Sequence, residues 1–232
     1  MSIVAFDTAT PATAVAVLTP EGGVVGERHD PAPGERPGHA AQLLPLLERT
    51  LAAAGAGWRD VERIGVGVGP GGFTGLRIGI ATARALAQAR GLPLVGVSSL
   101  RALAAGAAQD SPLVLAVIDA RRGEAYVAGW HHGEEALPAA ARSPAELASA
   151  AGQAGRETEQ TPLAVGDGAV RFRSELEAAG AMVPPDGSPL HRIDAAHTCR
   201  LAARMPAPAA GTVLPDYLRV PDAELRRPPP RP

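Results

Sequence analysis

Apolar residues along this chain fall into blocks of two kinds. Short runs, some unbroken and some alternating with polar positions, read as strands at 3–7, 12–18, 23–29, 63–68, 94–97, 113–118, 124–131 and 163–166. Longer stretches with apolar positions three and four residues apart read as helices at about 38–55, 74–90, 99–108, 144–153, 169–180 and 194–204. Strands and helices interleave, which predicts an α/β protein.

Two segments share one organisation. "IVAFDTATPATAVAVL" (3–18) and "LVLAVIDARRGEAYVAGW" (113–130) are each an apolar strand ending in Asp, a polar turn and a returning strand. The step from Asp7 to Ala12 equals that from Asp119 to Glu124. Each hairpin is followed by a helix and then by strand, glycine turn and helix, at "VGVGPGGFTGLRI" and at "LAVGDGAVRFRSELEAAG". The same order of elements twice predicts internal duplication. The expected organisation is a first lobe at 1–110, a second at 111–225 and a Pro/Arg tail at 226–232.

The stretch "GPGGFTGLRIG" (69–79) raises the main chemical question, because glycine-rich turns between strand and helix often hold phosphate. A P-loop requires lysine and a hydroxyl residue after its last glycine, but Leu76 and Arg77 follow Gly75. The dinucleotide fingerprint requires a different glycine spacing from that of Gly69, Gly71 and Gly75. The local signals favour a helix start instead. Thr74 is placed to act as N-cap, with Phe73 and Ile78 at the spacing of a hydrophobic staple. An anion at this helix start stays open, with Gly71 and Gly72 as backbone contacts.

The helix that follows is apolar on two sides. Leu76, Ile80, Ala83 and Ala87 share one face, and Ile78, Ala81, Ala85 and Ala89 share another, with Arg77 and Arg84 among the few polar interruptions. Either its own domain buries both faces, or another chain covers one. The helix at 38–55 is loaded with leucine, including Leu43 and Leu47, and carries Pro45, which predicts a kink or a restart. His39 opens it and is expected to cap or to lie at an interface.

Composition narrows the chemistry. All 22 basic residues are arginine, so lysine-dependent phosphate binding and Schiff-base chemistry are excluded. The formal net charge of −2 argues against strong binding to nucleic acid or an anionic membrane. The first apolar run stops at Asp7 and no later run is long enough to span a bilayer, so neither signal peptide nor membrane segment is expected, and the location expected is the cytoplasm. Cys199 is the single cysteine and reads as core filler. No set of metal ligands has suitable spacing. Asp7 and Asp119 end equivalent strands, and the place of Asp7 resembles that of the Asp which, in actin-like ATPases, works with magnesium and a phosphate loop. Arg121 reads first as one half of a surface salt bridge and otherwise as an anion partner, and "GDGA", with Asp167, reads as either a nucleotide loop or a helix start.

The blocks "IVAFDTAT", "GHAAQLLPLLERTL", "GVGPGGFTGLRIGIATARALA", "GLPLVGVSSL", "VIDARRGEAYVAGW", "VGDGA" and "PDYLR" resemble, in order, the landmarks of the bacterial TsaB (YeaZ) family. One departure is Gly72, where that family usually has serine. The resemblance implies a two-lobed actin-like (ASKHA, RNase H-like) fold. It implies a non-catalytic partner of TsaD in making N6-threonylcarbamoyladenosine, beside the anticodon of tRNAs that read codons starting with A. TsaD as heterodimer partner, TsaE as a further partner, a homodimer when alone and only indirect contact with tRNA are also implied. So are the absence of a tightly bound cofactor and ATP or ADP at the surface shared with TsaD. TsaD's metal-binding H-x-x-x-H is not continued after His39. The expected partner surface is His39, Leu43, Leu47, Phe73, Thr74, Leu76, Arg77, Ile80, Ala83, Arg84 and Ala87, so that Ile80→Arg or Ala83→Glu would abolish the complex and spare the fold. The alternative is an autonomous ATPase or small-molecule kinase of the same fold, against which stands a first hairpin turn without glycine.

Overall fold

The computed structural model describes residues 2–32, 34–208 and 210–218. The expected tail at 226–232 and the last residues of the expected second lobe lie outside them. The first sheet contains β1 (Ser2–Asp7), β2 (Thr13–Leu18), β3 (Val24–His29), β4 (Val61–Gly69) and β5 (Leu94–Ser98) in the order β3-β2-β1-β4-β5. The second contains β6 (Leu113–Arg121), β7 (Glu124–His131), β8 (Glu134–Arg142) and β9 (Leu163–Val165) in the order β8-β7-β6-β9. Both begin with an antiparallel meander, and both add a parallel strand beside the first one. The duplication anticipated from sequence is therefore a duplication of sheet topology over four strands, and among the described residues β5 has no counterpart strand in the second sheet.

Strand β8 was not anticipated. Its sequence, "EEALPAAAR", lacks alternation and carries alanine and proline, which suit strands poorly. It forms as an edge strand on β7, where only one side needs pairing.

Side-chain alternation assigns the faces of the first sheet. Val4 and Phe6 of β1, with Val15, Val17, Ile64 and Val66, meet Leu43, Leu46, Leu47 and Leu51 of α1 (His39–Ala53) and Ile80, Ala83 and Ala87 of α2 (Phe73–Arg90). Ile3 and Ala5 point the other way, with Ala14 and Ala16, onto Ala195, Ala196 and Cys199 of α7 (Ala195–Arg204). Helix α7 thus returns to the first lobe, and Val213 joins the α1–α2 core. A single cut near 110 therefore separates the sheets but not all their packing. Helix α1 remains one segment through the exposed Pro45, without a restart.

Helix α3 (Ser99–Ala107) lies between the lobes. Leu100, Leu103 and Ala104 share a core with Val95 and Val97 of the first sheet and with Val114, Ile118, Tyr126 and Trp130 of the second. On the outer face of the second sheet, Leu115, Val117 and Val127 pack against Leu147 and Ala151 of α4 (Pro144–Thr158) and against Phe172 and Leu176. The helix expected at 169–180 is two short pieces, α5 (Asp167–Arg171) and α6 (Arg173–Ala178). They break at Phe172, whose backbone leaves helical geometry as its ring enters this core.

Candidate functional site

A cleft of about 780 Å³ opens between the lobes. The turn after β1, the start of α1, the glycine turn before α2, the turn after β6 and Asp167 all contribute to its lining.

The glycine turn is shaped by the hairpin opposite it. The Gly72 amide donates to the Ala9 carbonyl at 2.7 Å, and the Thr8 hydroxyl donates to the Gly75 carbonyl at 2.8 Å. A Cβ at Gly71 would stand 2.3 Å from the Ala9 carbonyl oxygen, and one at Gly75 would stand 2.1 Å from that of Thr8. A Cβ at Gly79, one turn on, would meet the Thr8 hydroxyl oxygen at 2.3 Å. These glycines admit the backbone of the first hairpin.

Helix α2 starts one residue earlier than expected. Gly72 is its N-cap, and no side chain caps it. Thr74 is therefore inside the first turn, and the Phe73–Ile78 staple does not form. Phe73 instead stacks on Tyr217 at 5.6 Å between ring centroids, with the Arg77 guanidinium 3.8 Å from its own. Arg77 Nε also donates to the Tyr217 hydroxyl at 3.1 Å. Arg84 bonds the Gly211 carbonyl. Both arginines thus hold the chain's own returning segment along α2.

Burial separates the two faces of α2. Leu76, Ile80, Ala83 and Ala87, with Leu43 and Leu47 of α1, are buried inside this chain and do not form an outward surface. The exposed side of α2 carries Thr74, Ala81, Ala85 and Ala89, with Ile78 half-buried. The two-faced pattern is visible in the sequence, but both faces carry the same residue types, and the partner surface expected at Leu76, Ile80, Ala83 and Ala87 is the inward face.

The equivalent aspartates use the same local device and differ in surroundings. Asp7 Oδ1 accepts the Ala9 amide at 2.7 Å, and Asp119 Oδ1 accepts the Arg121 amide at 2.8 Å. Asp7 is buried, its Oδ2 accepts the Ser99 hydroxyl at 2.6 Å, and a Cβ at Gly67 would fall on this carboxylate. It is not among the residues that line the cleft, so the expected nucleotide contact at Asp7 is a structural clasp. Burial pushes its pKa up, against the bonds from Ser99 and Ala9 and the charge of Arg28. Asp119 does reach the cleft, paired with Arg171 at 2.9 Å and Arg121 at 3.3 Å. Asp167 lies beside it and accepts the Asp119 amide at 3.0 Å. Burial raises the Asp167 pKa, and the Asp119 charge adds to the rise.

His39 is the first residue of α1 rather than its cap, since Gly38 takes that place. Its Nδ1 shares a hydrogen bond with the Thr13 hydroxyl at 2.8 Å, which joins the start of β2 to the start of α1. Its ring lines the cleft beside Gly75. Burial, with the neighbouring His29, lowers its pKa and favours the neutral ring. Gly71, Gly72, Arg121 and Asp167 also line the cleft, as do Arg36, Arg122 and Tyr217, which sequence reasoning did not single out. Tyr217 lies within the quoted "PDYLR" block, but only folding brings it to Phe73. Among the described residues, no group of three or more His, Cys, Asp or Glu could hold a metal ion, and no helix is long and apolar enough to cross a membrane.

Two sheets that share a four-strand order around a common cleft define an actin-like α/β protein, and comparison with solved structures agrees. The ROK hexokinase of Thermus thermophilus, at 14% identity, superposes with a TM-score of 0.51 over 88% of this chain and 99% of its own, a likeness of fold alone. YeaZ from Pseudomonas aeruginosa is more similar, at 29% identity and a TM-score of 0.75 over 94% of this chain and 99% of that one. Residues 12–173 match the family described as TsaD: tRNA N6-adenosine threonylcarbamoyltransferase. The Escherichia coli protein named tRNA threonylcarbamoyladenosine biosynthesis protein TsaB is 41% identical over 144 residues, which span 58% of this chain and 60% of that protein. The chain belongs to this family, on its TsaB (YeaZ) side.

Proposed function

We propose that this chain acts in tRNA threonylcarbamoyladenosine synthesis as the non-catalytic partner of TsaD. In this reading TsaD transfers the threonylcarbamoyl group to N6 of the adenosine beside the anticodon, in tRNAs that read codons starting with A. This chain supplies a surface that TsaD requires, TsaE joins the pair, and tRNA is met through the complex. ATP or ADP sits at the shared surface, and a second copy of this chain covers it when TsaD is absent.

The observation that carries the reading is helix α2, in a chain whose relatives include one named TsaB. Its inner face is in the core, while Ala81, Ala85 and Ala89 remain uncovered along an 18-residue helix. Small side chains let a second helix approach closely. The packing of Thr8 and Ala9 against the glycine turn supports a binding role over phosphoryl transfer, since that hairpin turn is engaged with its own protein.

The test is reconstitution of tRNA modification from TsaD, TsaE, ATP, tRNA and an activated threonylcarbamoyl donor, with and without this chain. Modification is expected only when the chain is present. Equal modification in its absence overturns the proposal, and ATP turnover by the isolated chain would favour the kinase alternative.

A further inference from the structure

We propose that the groove between β8 and α4 binds an extended peptide segment, with a carboxylate side chain at one end and a basic side chain about five residues along. This groove is on the second lobe and shares no lining residue with the cleft between the lobes.

The groove follows from the way β8 pairs. From Leu137 to Ala140 the strand advances three residues while β7 moves two, and from Glu135 to Leu137 it advances two while β7 moves one. Such bulges bend a strand and occur next to functional sites. The bulged stretch, at Ala136, Leu137 and Pro138, is one wall of a groove of about 380 Å³. The other wall is a single stripe of α4, with Glu146, Ala150, Gln153, Ala154 and Glu157 at helical spacing.

Arg142 ends β8 and lines the groove beside the first turn of α4. Its Nε is buried and, among the described residues, donates to no acceptor. A buried donor normally has one. Glu146 feels the Arg142 charge, but its Oε2 is occupied by the Ser143 amide at 2.9 Å and the Ser143 hydroxyl at 2.7 Å, in the box that caps α4. A carboxylate from outside the chain is the acceptor that the fork of a guanidinium suits best.

The opposite end is acidic. Glu157 is exposed, is held by the Gln153 amide at 2.7 Å and forms no ion pair among the described residues. Glu146 and Glu157 stand about 16 Å apart along the helix, at about 1.5 Å per residue. An extended segment covers that length in about five residues. Pro138 and the bulges blunt β8 against a continuous added strand. Recognition therefore rests on the two charged ends and on the apolar floor of Leu137, Ala150 and Ala154 between them.

The probes are acetyl-Asp-Ala-Leu-Ala-Arg-amide and its reverse, acetyl-Arg-Ala-Leu-Ala-Asp-amide, titrated into the full chain while NMR follows Arg142 Nε–H and the α4 amides. One of the two is expected to move Arg142 Nε–H together with the amides of Gln153 and Glu157, and to saturate. Asparagine for aspartate in that peptide, or Arg142→Gln in the chain, should each weaken binding roughly tenfold or more. Glu157→Gln, on the exposed side of α4, should weaken that peptide and leave unchanged one with alanine in place of arginine. Arg142→Glu should lose the peptide and recover one with lysine in place of aspartate, a reversal that a merely structural Arg142 would not produce. Signals that stay still with both peptides, equal affinity for the asparagine form, or acetate alone binding as well as the peptide overturn the proposal. None of these measurements involves TsaD, so the groove and the partner role stand or fall separately.

Discussion

The Ser99 hydroxyl donates to Asp7 Oδ2 at 2.6 Å and so ties the end of the first strand to the start of the helix between the lobes. The other carboxylate oxygen accepts the Ala9 amide and sets the turn that packs on the glycines. Burial raises the Asp7 pKa in the folded chain. A raised pKa means that the folded state holds the proton more tightly than the unfolded one. The resulting stability is fully present below the ordinary carboxylate range and is lost as pH rises through the raised value. Asp7→Asn, which can keep both contacts with its amide, should flatten that dependence and match or exceed the parent near neutral pH. Asp7→Ala leaves a buried amide and hydroxyl without acceptors, at about 1–3 kcal/mol. Denaturant melts of the three forms across pH check this. A parent-like pH profile in Asp7→Asn would contradict it.

The glycine turn separates residues that share a composition but not an environment. At Gly75 an added Cβ would meet the Thr8 carbonyl oxygen at 2.1 Å, a backbone atom that cannot step aside. Gly75→Ala is expected to cost about 1–3 kcal/mol or more. At Gly72 the nearest atom, the Ala9 carbonyl oxygen, is 3.5 Å from the new Cβ, and the residue is the N-cap of α2. Gly72→Ser, which restores the residue usual in the family it resembles, should change stability by no more than about 0.5 kcal/mol. Thermal melts of both variants distinguish a turn built for close backbone approach from one that is merely flexible.

Sheet topology was largely legible because hairpins and alternating runs are local signals. Each strand of the first sheet was expected within two residues of where it lies, from β1 at Ser2–Asp7 to β5 at Leu94–Ser98. The duplication itself could have located β8, since β3 follows β2 in the first half just as β8 follows β7 in the second. Its alanine-rich edge sequence concealed it. The cleft was half legible: Gly71, Gly72, Arg121 and Asp167 were singled out and do line it. Asp7 was singled out on the same reasoning as Asp119 and lies beneath the surface, because only packing distinguishes two equivalent aspartates. The contacts of His39 with Thr13, and of Tyr217 with Phe73, join residues far apart in sequence, and no spacing rule reaches them.

Cys199 reports on folding rather than chemistry. It is fully buried against β1 and β2, with Sγ 3.5 Å from the Ile3 carbonyl oxygen and 3.4 Å from that of Ala16. Burial pushes its thiol pKa up to about 12, so little thiolate exists at any ordinary pH. The folded chain should resist thiol-alkylating reagents at mildly alkaline pH, and reaction should begin only as denaturant opens α7 from the sheet. Labelling followed by mass spectrometry across a denaturant series checks this. Prompt reaction without denaturant would show that α7 detaches in the native state.

Helix α2 yields the most direct test of association. Ile80 and Ala83 face this chain's own core. Ile80→Arg and Ala83→Glu would each bury an unpaired charge, so they are expected to unfold the protein rather than to spare it. A complex lost in those variants would say nothing about a partner. Ala81 and Ala85 lie on the exposed side of the same helix. Ala81→Arg and Ala85→Glu should leave stability within about 0.5 kcal/mol of the parent. If this face meets TsaD, either change places a bulky charge where a close helix contact is required, and co-purification should fall at least tenfold, the effect of about 1.4 kcal/mol. Sedimentation of the chain alone extends the test to a second copy on the same face. Variants that melt like the parent and still associate would place the partner surface elsewhere on the first lobe.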